Sequence, residues 1–307
     1  MFKVKIEKPN IKFQILSELS AWNGFVCSLN LKKLWLLKSG GKLTNKESQI
    51  LEKFSLALRY GPDEAYNKIL FGHNREISAL KKNSKYKEIF ESIDSAVQIL
   101  ESRIKKIEKL YLPYSKKVEK KILINKKVIS KAIVEIHKFL DLKEQSRDFE
   151  MLVLLPKIKE YEAWGMYNRL ILLPPLKDSW DNVLRTLIHE YVHIAIFHNS
   201  KLRNKIQSAA KPYPEFFNKI SKKIGLPKEV IAEELFVSSL VPEGELARLI
   251  FPKMKLWITS SKADILEKTR KQFAKIMKPY VVQRWRGRIS VSDYIGCYLK
   301  ELKNNYK

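Results

Sequence analysis

The sequence predicts an α+β fold that is predominantly helical. Three observations carry this expectation. Long stretches repeat apolar residues at steps of three and four, the helical period. Two short, proline-bounded apolar runs, "FEMLVLLP" at 149–156 and one within "YEAWGMYNRLILLPP" at 161–175, suit strands. Between these runs and the C-terminus lies "KDSWDNVLRTLIHEYVHIAIFHN" at 177–199, a long apolar helix pattern that carries two histidines and a glutamate.

The elements follow in order. In residues 1–38, "MFKVKI" alternates like a strand and "NLKKLWLLK" fits a strand or a short helix. Thr44 and Glu47 form a capping box ahead of "SQILEKFSLALRY", which Gly61-Pro62 is expected to end. Ile89, Ile93, Val97, Leu100, Ile104 and Ile107 mark a longer helix that Pro113 is expected to break, and a further basic helix reaches about Leu142. The two strands come next, then the histidine helix, which Asp178 or Ser179 can cap. A basic linker leads to "GLPKEVIAEELFVSSLVPEG", with Pro227 suited to a first helical position. Two more helices are expected near 260–278 and 292–302. The expected organisation is a helix-rich basic region at 1–146, a core at 147–250 that carries the chemistry, and a helical subdomain at 251–307.

With 307 residues the chain has ample material for a core. It carries no run of about eighteen apolar residues that could span a membrane, and "MFKVKIEKPN" lacks the apolar core of a secretory signal. Cys27 and Cys297 stand far apart, which excludes a disulfide framework or a cysteine-rich metal site. The expectation is a cytoplasmic protein without a transmembrane segment. Fifty-nine Lys and Arg against 33 Asp and Glu give +26, an excess that attracts polyanions. The lysines are spread along the chain, as on solvated helix faces.

On a helix, His189 and His193 lie one turn apart on one face, so both imidazoles can reach one ion. Glu190 falls on the flank of that face and is placed to move a proton on a metal-activated water. From Thr186 to Ala195 the only charged residue is Glu190, and a carboxylate in so apolar a setting is costly to bury without a cation. The spacing points to zinc.

A third protein ligand is needed. His198 lies nine residues beyond His189, on the opposite side of a continuous helix, and reads as a helix-end residue. The downstream candidates are Glu229, Glu233 and Glu234. In favour of the plain alternative, Glu229 sits in the first turn after Pro227, where a carboxylate complements the helix dipole.

The stretch "TLIHEYVHI", with Thr186, Leu187, Tyr191, Val192 and Ile194 around the motif, resembles the zincin metallopeptidases. "EVIAE" is similar to the glutamate helix of gluzincins, and the longer run resembles ImmA/IrrE-type peptidases at Glu229, Ala232, Leu240 and Pro242. The order of strand pair, histidine helix and glutamate helix is similar to the minigluzincin core, over about residues 147–250. This resemblance implies a zincin-like core with a small β-sheet, and a zinc-dependent peptidase acting on a protein or peptide substrate. It further implies Glu190 as general base, His189, His193 and Glu229 as ligands with Glu233 and Glu234 as alternatives, and Glu233 steadying a ligating histidine. "RLILLP" would then be an edge strand that pairs with the substrate. Tyr280, Tyr294, Arg284 and Arg286 are candidates for stabilising the oxyanion.

A competing expectation comes from "KTRKQFAKIMKPYVVQRWRGRIS". Its cations alternate with Phe273, Tyr280 and Trp285, a pattern that can bind nucleic acid. In this reading the metal helix would be structural or inactive. Leu266, Phe273, Ile276 and Met277, however, also fit the buried stripe of an amphipathic helix.

Overall fold

A computed structural model describes residues 11–15, 41–50, 52, 79, 82–142, 149–153, 162–166, 169–173, 180–252 and 265–305. The expectations for "MFKVKI", "NLKKLWLLK", Gly61-Pro62 and the Asp178 or Ser179 cap lie outside these residues. Helices predominate. The chain forms two compact units that interleave along the sequence: residues 1–9, 126–146 and 179–307 in one, 10–125 and 147–178 in the other. This division differs from three consecutive blocks, because strand pairing draws the N-terminal region together with residues 147–178.

In the second of these units four strands form one sheet: β1 Ile11–Ile15, β2 Phe149–Val153, β3 Glu162–Met166 and β4 Arg169–Leu173, in the order β1-β2-β4-β3. β1 runs parallel to β2, with Ile11 opposite Phe149, and β2 runs parallel to β4. β3 and β4 are antiparallel and meet at Met166 and Arg169. The run at 161–175 therefore supplies two strands where one was expected. It also corrects the edge assignment. "RLILL" is β4, hydrogen-bonded on both sides, so its backbone groups are already used and it cannot add a substrate strand. Among the described residues the outer strands are β1 and β3.

The long helix of this unit, α1 (Lys87–Ile124), runs through Pro113. The proline has no N–H to offer the carbonyl of residue 109, but it lies on an exposed face where water can serve that carbonyl instead. The helix stops at Asn125, whose side chain turns back to the Lys121 carbonyl at 2.8 Å. Upstream, residues 45–50 are helical and the capping box is complete. Thr44 N–H donates to Glu47 Oε2 at 2.7 Å, and Glu47 N–H donates to Thr44 Oγ1 at 3.2 Å.

The other unit is all helix among its described residues: α2 Lys126–Leu140, α3 Trp180–Phe197, α4 Ser200–Ser208, α5 Pro214–Ile224, α6 Lys228–Leu240, α7 Glu245–Ile250, α8 Ile265–Trp285 and α9 Val291–Asn305. The stretch expected to be a basic linker is α4 and α5. Asn199 caps α4 by accepting from Leu202 N–H, and Gly225, with φ of 75°, ends α5 in a left-handed turn that glycine adopts without strain. Pro227 caps α6 one position before the expected one; its carbonyl accepts the first helical bond from Ile231.

α6 is the centre of this unit. Ile231, Ala232 and every residue from Leu235 to Leu240 are buried, so the helix is covered nearly all round, as an interior helix must be. α9 locks onto it: Tyr298 Oη donates to the Ala232 carbonyl at 2.7 Å, Tyr294 Oη bonds Ser239 Oγ at 2.8 Å, and both rings stand edge-on to Phe236. On α8, Leu266, Phe273 and Met277 are buried, the amphipathic stripe noted above. α6 passes to α7 through a turn that only glycine permits, since a Cβ on Gly244 would collide with the Ser239 carbonyl.

Candidate metal centre

α3 is buried along most of its length, and His189, Glu190 and His193 are all buried with it. Histidines in such a place need partners for both ring nitrogens. The outer nitrogens are tied to α6 and the residue that follows it. His189 Nδ1 lies 3.0 Å from the Val241 carbonyl, which can only accept, so Nδ1 carries the hydrogen. His193 Nδ1 lies 2.8 Å from Glu233 Oε1 and donates to it. Both Nε2 atoms then face inward, 3.3 Å apart.

Glu234 closes the group. Its Oε2 is 3.4 Å from His189 Nε2 and its Oε1 is 3.3 Å from His193 Nε2. His189, His193 and Glu234 could hold a metal ion. A tetrahedral ion with bonds of about 2.0–2.1 Å separates its ligand atoms by roughly 3.3 Å. The edge between the two Nε2 atoms matches that spacing, and each Nε2 has one Glu234 oxygen at a comparable distance, Oε2 for His189 and Oε1 for His193. Glu234 Oε2 is moreover buried without a hydrogen-bond partner, an acceptor left open toward the centre of the group.

The electrostatics of the site call for positive charge at this point. Burial alone would lower the His193 pKa, but Glu234 and Glu233 beside it outweigh burial and hold it well above the usual histidine value. Burial alone would raise Glu234, yet His193, Arg270 and His189 keep it well below the usual carboxylate range. A proton on His193 or a cation among the three ligands meets the same need. Glu190 behaves differently. Burial pushes its carboxyl up, and the attraction of His189 and His193 offsets only part of the rise.

A second ring of residues fixes the first. Glu233 is held on its other oxygen by Gln207 Nε2 at 2.9 Å, with Arg203 Nε at 3.8 Å, both from α4. Arg270 on α8 faces Glu234 Oε2 at 3.5 Å and Glu243 Oε1 at 3.1 Å, and its Nε donates to Ser238 Oγ. Such supports orient ligands and tune their basicity.

The site assembles His189, Glu190, His193, Glu233 and Glu234. Glu229 is a correction: it is exposed in the first turn of α6 and lies outside the group. Five residues along a helix rotate a side chain by roughly 140° away from Glu234, so one helix cannot point both at the same ion. His198 follows the end of α3 and takes no part. The four oxyanion candidates are employed or sited elsewhere. Tyr294 is buried against Ser239, Tyr280 donates to Glu301, Arg284 donates to the Phe139 and Lys138 carbonyls at the end of α2, and Arg286 is exposed. Gln207, Arg203, Arg270 and the Val241 carbonyl were not anticipated. Arg203 and Gln207 at a four-residue spacing hint at a shared helix face, but nothing in the sequence assigns that face to Glu233.

Set against known proteins, the chain matches no family, no curated protein and no solved structure. Among the described residues no helix is long and apolar enough to cross a membrane.

Proposed function

We propose that this protein is a zinc-dependent metallopeptidase of the gluzincin kind, with His189, His193 and Glu234 as ligands and Glu190 as the general base. The observation that carries the reading is the convergence of His189 Nε2, His193 Nε2 and the Glu234 carboxylate, with both outer histidine nitrogens already committed. Each imidazole nitrogen is 3.3–3.4 Å from one carboxylate oxygen and 3.3 Å from the other imidazole nitrogen. Two imidazoles and one carboxylate suit zinc among the common divalent ions, and three protein ligands leave a position open, as hydrolytic zinc sites require. Bound there, zinc would polarise the scissile carbonyl and make a coordinated water acidic.

The chain's own residues supply the rest. His189 and His193 present their Nε2 lone pairs because Val241 and Glu233 fix the opposite nitrogens. Arg270 holds the Glu234 carboxylate toward the histidines. Glu190 accepts the proton of the attacking water and passes it to the leaving nitrogen, and its raised pKa strengthens it as a base for that exchange. A purely structural site has no use for this carboxylate, which favours the peptidase over a nucleic-acid-binding protein with a retired centre. Phe273, fully buried, is also withdrawn from base stacking.

The test pairs zinc content with turnover, on protein purified without a metal-affinity tag. We expect about one zinc per chain in the wild type, none in His189→Ala, and zinc retained in Glu190→Gln with peptide hydrolysis reduced on the order of 10²–10⁴-fold. Hydrolysis by Glu190→Gln at the wild-type rate would end this mechanism. A chain that takes up no zinc would end the metal assignment.

A further inference from the structure

Beside the metal group, α7 and α8 enclose a recess of about 250 Å³ whose walls carry four cations, Arg248, Lys271, Lys275 and Lys278, against two carboxylates, Glu243 and Glu245. Glu245 is paired on the recess wall, with Arg248 at 3.6 Å and Lys278 at 3.3 Å. Glu243 is paired through Oε1 with Arg270, which is not itself a lining residue, while its Oε2 is buried without a hydrogen-bond partner. Lys271 and Lys275 have no ion pair among the described residues. They stand one turn apart on α8 and so project along the same side of the helix. Lys271 is half-buried and Lys275 is exposed, and both line the recess.

The recess is also close to the ligands. Glu243 forms part of its wall and accepts from one Arg270 nitrogen, while the other Arg270 nitrogen faces Glu234. A single guanidinium separates the two carboxylates. An extended peptide advances roughly 3.4 Å per residue, so a side chain one to three residues from a bond held at the metal group spans that separation.

We propose that this recess is a specificity subsite that receives an acidic side chain, Asp or Glu, of the peptide substrate, with Lys271 and Lys275 as its partners. The inference rests on the peptidase reading and names its substrate class. Two ammonium groups with no ion pair among the described residues, at a concave and net positive surface, favour a carboxylate over an amide of the same shape, and the concavity strengthens the pairing relative to open water. Glu243 pairs with Arg270 and Glu245 with Arg248 and Lys278, so Lys271 and Lys275 carry the positive surplus of the wall.

The experiment is fluorescence anisotropy with two labelled probes, an Ala-Glu repeat dodecapeptide and its Ala-Gln counterpart, titrated with the zinc-loaded full chain carrying Glu190→Gln so that neither probe is consumed. A repeat places an acid in every register, so the scissile position need not be known. At physiological ionic strength we expect the Ala-Glu probe to bind about tenfold tighter. Adding Lys271→Glu and Lys275→Glu should bring the ratio close to one with zinc content unchanged. Lys116→Glu with Lys117→Glu on α1, the same change in net charge, should preserve it.

Equal affinity for both probes, or a preference that the α1 control removes as fully, would overturn the subsite. Inorganic phosphate binding at the recess without discrimination between the peptides would make it a small-anion site and overturn it as well. The two readings fail separately. Wild-type zinc-loaded enzyme that cleaves both repeats at equal kcat/KM keeps the peptidase and removes the subsite. A Lys271- and Lys275-dependent preference in a chain that hydrolyses no peptide keeps the acidic-peptide site and removes the peptidase.

Discussion

Glu47 and Glu234 are both carboxylates set among cations in largely covered positions, one in each compact unit, and they are partnered in opposite ways. Glu47 is closed. Its Oε1 accepts from Arg103 Nε at 2.7 Å, and its Oε2 accepts from Arg103 Nη2 at 2.8 Å and from Thr44 N–H. The guanidinium is used up too, by the Gly41 and Lys42 carbonyls at 2.8 Å each. Glu234 is open. Its Oε2 is buried without a hydrogen-bond partner, His189 Nε2 faces Oε2 and His193 Nε2 faces Oε1, and Arg270 stands off at 3.5 Å. A network with every donor and acceptor satisfied stabilises a fold and binds nothing. One with convergent lone pairs and an unmatched acceptor is arranged for a guest.

The comparison can be broken by exchanging the damage. Glu234→Ala removes the proposed third ligand, and we expect the affinity for zinc to fall at least a hundredfold, on the order of 3 kcal/mol, as measured by competition with a chromophoric chelator. Arg103→Ala should leave zinc binding intact and lower the stability of its own unit by about 3 kcal/mol, because the Glu47 charge then stays covered without its partner. Denaturant unfolding of the zinc-free chain reads the second effect. Unchanged zinc affinity in Glu234→Ala would return the third ligand to the other glutamates of α6.

The two clusters also differ in how far the sequence revealed them. Thr44 and Glu47 were legible because a capping box is a local device: both bonds close within one turn. The pair His189 and His193 was legible for the same reason, since four residues of helix fix their mutual geometry whatever surrounds them. Arg103 was not, because it meets Glu47 across a separation of 56 positions. Glu234 was not separable from Glu229 and Glu233 because α6 is apolar nearly all round, and a helix without a polar side offers no phase by which to rank its acids. The face is chosen by α3, α4 and α8 packing around α6, a tertiary fact. Strand pairing was lost in the same way. The apolar runs marked β2 and β4, but the parallel partnership of β1 with β2 joins residues more than a hundred positions apart and makes β2 interior, while β4 is interior because β2 and the unexpected β3 flank it.

A milder change sharpens the contrast by titration. Arg103 holds the Glu47 carboxyl down, from the usual 4.5 to about 2, chiefly by donating two hydrogen bonds to it, with the Thr44 bonds and the Arg103 charge adding to the effect against the opposing pull of burial. A carboxyl depressed in the folded state contributes stability that is fully present above the unfolded pKa and lost as pH falls through the folded one. The unit that contains Glu47 should therefore lose stability progressively between about pH 4.5 and pH 2. Glu47→Gln should flatten that part of the profile in chemical denaturation of the metal-free protein. A slope that persists undiminished in Glu47→Gln would assign the acid sensitivity to other carboxylates.

The smallest effect belongs to Glu229, and it is the one that decides between the sequence and the geometry. Exposed in the first turn of α6, its carboxylate lies near the positive end of the helix dipole and has no role in the metal group. Glu229→Ala should cost about 0.3–1 kcal/mol, reduced further by salt, and leave both zinc per chain and hydrolysis at wild-type levels. Glu233→Ala makes the useful neighbour in the same series. It keeps all three ligands but frees His193 Nδ1, so zinc should remain while its affinity falls about 10–100-fold. The graded order, with Glu234 above Glu233 above Glu229, is a prediction about helix phase as much as about chemistry. It follows from α6 turning one side toward the histidines, and a different order would mean that the helix presents a different side when the ion is bound.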